Sequence, residues 1–347
     1  MMGANSILIR PLAWWYNKVP LSVTLLVLLL DGRRFTLAAL IAFAAVVLAV
    51  CAVGNVGYAV NEIFDVEEDA RLGRNNAAAG MAPARMWGIV AFSALCAGIF
   101  GGIAAGPYGA LLSLAVLLLP LAYSAPPVRI KERKWLGVAA DALAAHVYPA
   151  TLALLAAMHW TLRPVPPALA SAVVVWAAAA GLRGILSHQL ATSEQDRNAG
   201  LQTVVHDLGN RRLERVVIAG LLPLEVAGFV VAIALCDTGI VLRIGGGLYL
   251  LYELFKTLSG KFRVTAFRPE GQPYVPFVEE SFYKCWGPIV LALDAARIDL
   301  VYLLVIPAYL LLFRPHVRAE SQRLIAVWAA IRAMGAKEPS DRSSAGS

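Results

Sequence analysis

Nine apolar runs, most of them long enough to cross a lipid bilayer as a helix, constrain this chain more than any other feature of its sequence. A helix needs about 20 mostly apolar residues to span the hydrocarbon core. The chain is 59% hydrophobic and only 15% charged, whereas soluble domains are typically about 25% charged. Because a soluble fold has no place to bury so much apolar surface, we predict an all-α membrane protein with about nine transmembrane helices. The predicted spans are residues 13–30, 36–60, 87–105, 108–123, 137–158, 167–190, 216–236, 239–256 and 286–313.

The connections between these spans alternate in length and in charge. The four long ones, residues 61–86, 124–136, 191–215 and 256–285, together contain 16 Lys and Arg residues, and the four short ones contain three. Basic residues accumulate in cytoplasmic loops, so we expect a multi-pass protein of the cell (inner) membrane with its long loops in the cytoplasm. The net charge of +7 is then a topology signal, and no nucleic-acid partner is expected.

The same scheme divides the chain into a single transmembrane domain, residues 1–313, and a partly disordered C-terminal tail, residues 314–347. Within the domain, residues 257–285 mix charges, prolines and aromatic residues, which indicates a folded cytoplasmic cap. With nine spans the tail falls outside the cell, although it contains six Lys and Arg residues. Either one span is miscounted or residues 324–337 lie on a membrane surface.

The second span ends in an acidic segment, residues 61–69, in which five of the nine residues are Asp or Glu. Asn61, Asp65 and Asp69 recur every four residues, so they share one face of a helix. Clustered carboxylates at a membrane boundary repel one another, and a divalent cation relieves that repulsion. Oxygen ligands of this kind suit Mg²⁺, which usually completes its shell with waters and substrate phosphates. The segment therefore predicts a magnesium site that binds a diphosphate, with a merely solvated acidic helix end as the alternative.

A second polar segment ends the sixth span. His188, Thr192 and Asp196 again recur every four residues, at the same membrane face as the first segment. Two polar helix ends on one face can converge on a single ion. Arg183 lies about two turns earlier in apolar sequence, where a charge is costly unless it faces a polar cavity or a partner charge. The alternative is an interface arginine whose charged end reaches the membrane surface, but Arg183 lies about two turns below the helix end, so we expect the cavity.

The loop after the fourth span reads Tyr123-Ser124-Ala125-Pro126-Pro127-Val128-Arg129-Ile130-Lys131-Glu132-Arg133. The two prolines predict an extended entry, along which Arg129, Lys131 and Arg133 alternate. Cations in this arrangement suit a phosphate group. For Arg133 and Lys134, the positive charge typical of a cytoplasmic loop is a sufficient explanation.

Together, these three segments resemble the UbiA superfamily of intramembrane prenyltransferases. The family pattern is an NDxxDxxxD motif after the second helix, a YSxPPxRxK-like loop after the fourth and a DxxxD motif after the sixth. The resemblance covers roughly residues 9–255, with the motifs in the family's order and on one membrane face. Two positions depart from the pattern. Glu62 keeps a carboxylate where the family has Asp, and Thr192 replaces the first Asp of the last motif, which puts a second metal in doubt.

The resemblance implies a helical bundle around a central cavity and transfer of an isoprenyl group from its diphosphate to a small or lipid acceptor. It implies Mg²⁺ as the cofactor, with isoprenyl or polyprenyl diphosphate, an unidentified acceptor and the lipid bilayer as partners. The implied metal ligands are Asn61, Asp65, Asp69 and Asp196, and the implied substrate contacts are Asn61, Arg74, Tyr123, Ser124, Arg129, Lys131, Arg183, Thr192 and Arg197. Tyr123 would contact the pyrophosphate or steady the allylic cation. The residues implied to neutralise the leaving group are Arg129, Lys131, Arg74 and Arg197.

Three other functions stay open at this point. A membrane terpene cyclase would ionise the same diphosphate but let the chain attack itself. A phosphoribosyl-type enzyme would use a polyprenyl phosphate to attack a sugar diphosphate, and its entry helix resembles Arg10-Pro11 with Trp15 here. The third is a transporter with acidic helix ends as an ion site. Transporter sites lie near the bilayer midplane, whereas these carboxylates are expected at one face.

Overall fold

A computed structural model of the 347-residue chain describes residues 11–30, 32–198, 200, 203–259, 263–265, 274–276 and 278–335. Within these residues the fold is almost entirely helical. The helices are α1 Pro11–Leu30, α2 Leu37–Arg71, α3 Pro83–Ala115, α4 Leu118–Ser124, α5 Trp135–Ala142, α6 Tyr148–Thr161, α7 Pro167–Ala191, α8 Ser193–Asn198, α9 Val204–Val216, α10 Leu222–Leu235, α11 Ile240–Leu258, α12 Gly287–Ala295, α13 Val305–Leu312 and α14 Arg314–Gly335. Short π-helical turns at Leu143–Val147 and Val217–Leu221 join α5 to α6 and α9 to α10.

Five helical stretches in the described residues are long and apolar enough to cross a membrane, and a sixth counts if one bent pair is a single span. The five are Leu37–Arg71, Pro83–Ser124, Trp135–Thr161, Pro167–Ala191 and Arg211–Leu235, and the bent pair is Leu300–Leu312 with Arg314–Ala333. The prediction of a helical membrane protein is confirmed. Nine separate spans are not found in the part of the chain that the structure describes.

The stretch from Pro83 to Ser124 folds back on itself. Gly106 has φ +64°, a conformation that glycine adopts without the steric cost of a side chain, and the chain reverses there. A Cβ on Gly101 would come within 2.6 Å of the Gly109 carbonyl oxygen, so the two arms touch through glycine backbone. The antiparallel arms explain why the sequence shows two apolar runs, 87–105 and 108–123, with only two residues between them.

The predicted ninth span, residues 286–313, is wrong as a single helix. α12 ends early, and the chain resumes as a 3₁₀ turn at Leu300–Leu304 that leads into α13. The carboxylate of Asp299 accepts the backbone N–H groups of Phe35 at 3.1 Å and Val301 at 3.0 Å. This side chain therefore begins the new turn and links it to the loop before α2.

Residues 314–335, the first part of the predicted tail, form the helix α14, bent by 88° from the helix before it. Glu320 on α14 is buried and accepts hydrogen bonds from Ser281 Oγ at 3.0 Å and Trp286 Nε1 at 3.2 Å. These bonds fix α14 to the rest of the fold. A position of this segment along a membrane surface stays a prediction, and residues 336–347 lie outside the described part.

The predicted cap, residues 257–285, is described only in pieces. It contains two short parallel strands, β1 Arg263–Thr265 and β2 Tyr274–Pro276, and a π-helical turn at Glu279–Trp286. Lys256, near the end of α11, is fully buried and donates to Ser281 Oγ at 3.0 Å. The π-helical turn is thereby anchored to α11, whereas the rest of the predicted cap lies outside the described residues.

The core of the bundle forms around α1. Every residue from Val19 to Leu30 is buried, because α2, α6 and α12 pack around this helix. An all-round apolar helix of this kind belongs inside a bundle. The surrounding helices α2, α4, α5 and α7 bring the polar ends predicted from the sequence together beside α1.

Candidate active site

A cavity of about 650 Å³ lies inside the bundle, and the sequence motifs meet at one end of it. Asn61 near the end of α2, Tyr123 and Ser124 at the end of α4 and His188 near the end of α7 all line the cavity there. We call this end, together with the charged residues 65, 129 and 131 beside it, the mouth. Each of the three polar segments thus contributes at least one side chain to the lining of a single space.

The acidic segment is helical, because α2 continues to Arg71, well past the apolar run. Asn61 faces the cavity, and Asp65, one turn later, is buried. Ser124 Oγ donates to Asn61 Oδ1 at 3.2 Å, which joins the first motif to the start of the basic loop.

The other acidic residues of α2 hold the loop that follows it. Asp69 accepts a hydrogen bond from Asn76 Nδ2 at 2.8 Å. The carboxylate of Glu62 is buried and accepts the backbone N–H of Ala77. The departure at Glu62 therefore has a structural role, since its side chain closes the loop and does not line the cavity.

The basic loop, residues 125–133, lies against the acidic side of α2. Arg129 Nη2 is 2.8 Å from Glu68 Oε2 and 3.5 Å from Asp65 Oδ1. Lys131 Nζ donates to the same oxygen of Asp65. Two cations from the loop therefore converge on one carboxylate of the helix, at the edge of the cavity.

The loop is a tight turn, so the extended entry predicted from its two prolines is wrong. The N–H of Arg129 donates to the Ala125 carbonyl at 2.9 Å, and Ile130–Glu132 form a 3₁₀ turn. Proline restricts its own φ and the residue before it, but not the residues that follow. Arg129 has φ +32°, a strained conformation that costs about 1–3 kcal/mol and that places its guanidinium on α2. Gly137 makes room for the turn, because a Cβ there would lie 3.0 Å from the Ile130 carbonyl oxygen.

Tyr123 lines the cavity together with Asp141 of α5. The charges of Asp141, Asp65 and Asp196 act on its hydroxyl, although these residues belong to three different elements. The hydroxyl therefore lies in a negative electrostatic environment.

The last motif turns away from the axis of α7. α7 ends at Ala191, and Thr192 leads into the short helix α8. Thr192 Oγ1 donates to Asp196 Oδ2 at 2.8 Å, and Asp196 Oδ1 lies 3.9 Å from Arg74 Nη2. Because Arg74 follows the first motif, this ion pair links the two acidic segments. Arg197 is exposed.

Arg183 is not among the residues that line the cavity, so the expectation that it faces this space is wrong, while its role in substrate binding stays a prediction. Its guanidinium makes a two-pronged ion pair with Glu225 of α10, at 2.6 Å from Nε to Oε2 and 2.7 Å from Nη2 to Oε1. Both side chains are fully buried. No spacing pattern marks this pair in the sequence, because its two members are 42 residues apart.

The predicted four-ligand magnesium site is not assembled. In the part of the chain that the structure describes, no three His, Cys, Asp or Glu side chains lie close enough to hold one ion. Each predicted carboxylate is bonded instead to a neighbouring side chain. The oxygen donors still suit Mg²⁺, because this ion is commonly held by one or two carboxylates and completes its shell with phosphates and waters. Asn61 and Asp65, at the cavity edge, are the ligands best placed for it.

Four ionisable residues of the cavity were missed by the sequence motifs. Lys18, Asp141, His146 and Lys284 line it beyond the mouth. Each is a single polar residue beside or within an apolar run, so no repeat or spacing marked it. The available signal was their position, since ionisable groups in membrane-spanning sequence usually serve a function.

Comparisons with known proteins agree with this architecture. The sequence matches the UbiA prenyltransferase family over residues 19–265. A UbiA homolog from Archaeoglobus fulgidus bound to DMAPP and Mg²⁺ is 19% identical, with a TM-score of 0.57 over 87% of this chain and 100% of that one. A UbiA homolog from the same organism bound to GPP and Mg²⁺ is 18% identical, with a TM-score of 0.51 over 95% and 100% of the two chains.

A third structure, the apo form of a UbiA homolog from Aeropyrum pernix K1, is 18% identical, with a TM-score of 0.53 over 83% of this chain and 98% of that one. A comparison with curated protein sequences finds no match. The structural matches establish a shared fold, and the family match extends over most of the chain. The resemblance seen in the three motifs is confirmed, and this multi-pass membrane protein belongs to the UbiA prenyltransferase family.

Proposed function

We propose that this protein is a Mg²⁺-dependent intramembrane prenyltransferase that moves an isoprenyl group from its diphosphate to a small or lipid acceptor. Membership of the UbiA family supports this proposal. The related Archaeoglobus fulgidus structures, which hold DMAPP or GPP together with Mg²⁺, support it on the donor side. The proposal places the protein in the cell (inner) membrane with its mouth on the cytoplasmic side, as the basic loops predict.

The observation that carries the proposal is the meeting of Asp65 with Arg129 and Lys131 at the mouth. A metal-bound diphosphate needs carboxylates for the ion and cations for the phosphate oxygens. The mouth offers a carboxylate and two cations in direct contact with one another. When the donor binds with its metal ion, Arg129 and Lys131 can exchange the carboxylate for phosphate oxygens, and Asp65 can exchange its cations for the metal ion. The partly buried position strengthens these interactions relative to bulk water.

The chemistry follows from that arrangement. Mg²⁺, which Asn61 and Asp65 would hold at the edge of the cavity, would supply Lewis-acid activation of the diphosphate. The bond between the isoprenyl C1 and the diphosphate oxygen breaks, and the leaving diphosphate keeps the electron pair. In the next step, the bond from C1 to the nucleophilic atom of the acceptor forms.

The side chains of the mouth have separate tasks in this reaction. Arg129 and Lys131 neutralise the departing diphosphate, with Arg74 and Arg197 near the last motif as further cations. Tyr123 steadies the allylic cation through its ring. Ser124 orients Asn61, and Thr192 orients Asp196, through the hydrogen bonds that each donates.

The cavity favours a separate acceptor over cyclisation of the isoprenyl chain. A cyclase needs an apolar wall that shapes the chain and shields its cation. Beyond Tyr123, the lining of this cavity includes Lys18, Asp141 and His146 among apolar residues, and these ionisable groups suit a polar second substrate. Asp65 also lies near the end of α2 and Asp196 in the short helix α8 that follows α7, rather than at mid-helix, which argues against a transporter.

Diphosphate release by the purified full-length protein tests the proposal. We expect release from geranyl and geranylgeranyl diphosphate in the presence of a membrane-lipid extract, with Mg²⁺ required. Asp65→Asn should remove this activity, while the matched control Asp207→Asn, an exposed carboxylate paired with Lys134, should keep it. Failure to release diphosphate from either substrate, or release that is insensitive to Mg²⁺, would contradict the proposal.

A further inference from the structure

The last helix, α14, has an exposed side that combines positive charge with apolar side chains. Arg314, Arg318, Ile325, Trp328 and Arg332 are all exposed. At about 100° per residue, these five positions fall within about 80° of one another around the helix axis. We call these five residues the outer face of α14. A single stripe of arginines, Ile and Trp is typical of a helix that lies at a membrane surface.

The opposite side of α14 is fixed to the fold. Val327 and Glu320 are buried, and the Glu320 carboxylate accepts hydrogen bonds from Ser281 Oγ and Trp286 Nε1. Both donors belong to the π-helical turn before α12. Because α14 cannot rotate without breaking these bonds, the direction of its outer face is set by the packing of its inner side.

Contacts at the two ends of the preceding segment show on which side of the bundle α14 lies. The Tyr302 hydroxyl donates to the Leu30 carbonyl at 3.4 Å, at the end of α1. This end is joined by a short loop to the start of α2 and is therefore opposite the mouth. His316 Nε2, in the first turn of α14, donates to the carbonyl of Tyr16 near the start of α1. The chain thus runs back along α1, and α14 begins on the side of the mouth.

At this point the chain turns by 88° between Leu300–Leu312 and α14. A helix perpendicular to a membrane-crossing segment runs along the membrane surface, at the level of the lipid headgroups. Ile325 and Trp328 on the outer face are 69% and 56% exposed. Contact with lipid would remove this apolar surface from water, and Trp is enriched at the membrane–water interface.

The positive charge of the outer face has no counterion inside the protein. Within the described residues, no carboxylate forms an ion pair with the three arginines of this face, whereas Arg323 on the inner side pairs with Glu320 at 2.9 Å. The Arg332 guanidinium lies 5.0 Å from the centroid of the Trp328 ring, a contact that leaves its charge in place. Three such charges complement a negatively charged membrane surface.

We propose that the outer face of α14 docks on the anionic phospholipid headgroups of the leaflet on which the mouth opens. Arg314, Arg318 and Arg332 contact the headgroup phosphates, while Ile325 and Trp328 insert between the lipids. The π-helical turn bonded to α14 also contributes to the cavity lining, so the docked helix holds one wall of the cavity at the membrane surface. This docking surface is separate from the mouth and does not depend on the reaction proposed above.

The test measures lipid binding by the purified full-length protein in detergent. Anionic dioleoylphosphatidylglycerol and zwitterionic dioleoylphosphatidylcholine are titrated separately, and the Kd is taken from thermal stabilisation. We expect phosphatidylglycerol to bind more tightly, with an advantage that shrinks as salt increases. Equal stabilisation by the two lipids, or a preference that salt does not change, would overturn the proposal.

Variants locate the binding on α14. Arg314→Gln combined with Arg318→Gln should weaken the Kd for phosphatidylglycerol about 25-fold, because one arginine near an anionic surface contributes about fivefold. The same two positions changed to Lys should retain most of the affinity. The matched control is Arg211→Gln combined with Arg212→Gln, a pair of exposed arginines on α9. Equal losses for the two pairs would mean that net charge rather than α14 determines binding, which contradicts the proposal.

A photoreactive p-benzoylphenylalanine in place of Ile325 identifies what covers the outer face. In vesicles that contain phosphatidylglycerol and phosphatidylcholine, illumination should attach lipid to the peptide around position 325, as measured by mass spectrometry. Without added lipid, thermal unfolding of this variant should match that of the parent protein, since Ile325 is exposed. A crosslink to a second copy of the chain instead of lipid would overturn the proposal.

Discussion

Two pairs of Arg and carboxylate groups in this protein have the same chemistry but different surroundings. At the mouth, Arg129 meets Asp65 and Glu68 with side chains that remain 25%, 11% and 20% exposed. In the interior, Arg183 meets Glu225 with side chains that are only 1% and 0% exposed. The mouth pairs lie on a loop beside a cavity, whereas the interior pair joins two packed helices.

The difference in exposure distinguishes pairs that can bind a ligand from a pair that only stabilises the fold. A buried pair cannot give up one member, because the other would be left unpaired in a low-dielectric interior. A pair at the edge of a cavity can exchange its partner for a ligand at little cost. The mouth is therefore where a diphosphate and its metal ion can be received, and the interior pair holds α7 against α10.

The largest effect is expected where the interior pair is broken. Glu225→Gln should lower the free energy of unfolding by about 3–5 kcal/mol, because it leaves the Arg183 charge buried without its partner. Replacing both residues by Met and Leu should restore much of the loss. Thermal unfolding in detergent measures both variants. If Arg183→Met has normal stability but no longer binds the donor, Arg183 contacts the substrate and this account of the interior pair is wrong.

The next effect concerns the carboxylate of the mouth. Asp65→Asn should lower transferase activity by about a hundredfold to a thousandfold, as expected when charge stabilisation is removed from the reacting centre. Stability should change little, in contrast to the interior pair. Chelation with EDTA should abolish activity, and Mg²⁺ or Mn²⁺ should restore it. Full turnover in a chelated preparation would contradict the proposed mechanism.

The basic loop should give a smaller effect. Lys131→Met removes one charge-assisted contact and should raise the KM for the isoprenyl diphosphate about tenfold or more. Because Lys131 is at the mouth, expression and thermal stability should stay close to those of the parent protein. Steady-state kinetics with Lys134→Met as control checks this expectation. An unchanged KM would show that Lys131 does not bind the donor and only adds to the positive charge of a cytoplasmic loop.

The departure at Thr192 predicts a shift in metal requirement. Thr192 donates to Asp196, so Thr192→Asp adds a carboxylate one turn before it and should lower the Mg²⁺ concentration for half-maximal activity about tenfold. Asp196→Ala should abolish activity. If Thr192→Asp instead lowers activity at every Mg²⁺ concentration, position 192 contacts the substrate. An unaffected Asp196→Ala enzyme would show that the last motif has no role.

The smallest effect is expected at Arg74. Its guanidinium is 3.9 Å from Asp196 and 38% exposed, and exposed pairs contribute about 0–1 kcal/mol. Arg74→Gln should therefore change the KM for the donor by less than about fivefold. Measuring the KM of both proteins at low and high salt tests this. The difference in KM between the parent and Arg74→Gln should shrink as screening increases. A loss as large as that of Asp65→Asn would place Arg74 on the reacting phosphate.

The motifs predicted the mouth because their information is local. The four-residue spacing of Asn61 and Asp65 requires only that α2 continue past the apolar run, which it does. The family's motif order then predicted that Tyr123 and Lys131 lie at the same end of the cavity. Arg183 could not be assigned in this way, because its partner is chosen by packing between α7 and α10.

The remaining differences also arise from tertiary structure. Asp141 and His146 have no repeat around them, so only the folded bundle shows that they share a cavity with Lys18. The predicted span 286–313 is interrupted because Asp299 bonds to the backbone of a distant loop at Phe35. Composition alone cannot reveal such a contact, and the apolar run remains continuous in the sequence.

The most direct test of the exchange of partners at the mouth is a structure of the full-length protein with Mn²⁺ and a non-hydrolysable geranyl thiolodiphosphate. We expect the anomalous signal of the ion beside Asn61 and Asp65, with the diphosphate contacting Arg129 and Lys131 and the geranyl chain running past Tyr123. In that complex, Lys131 should contact phosphate oxygen rather than the carboxylate. A diphosphate bound away from Arg129 and Lys131, or an ion remote from Asp65, would contradict the account.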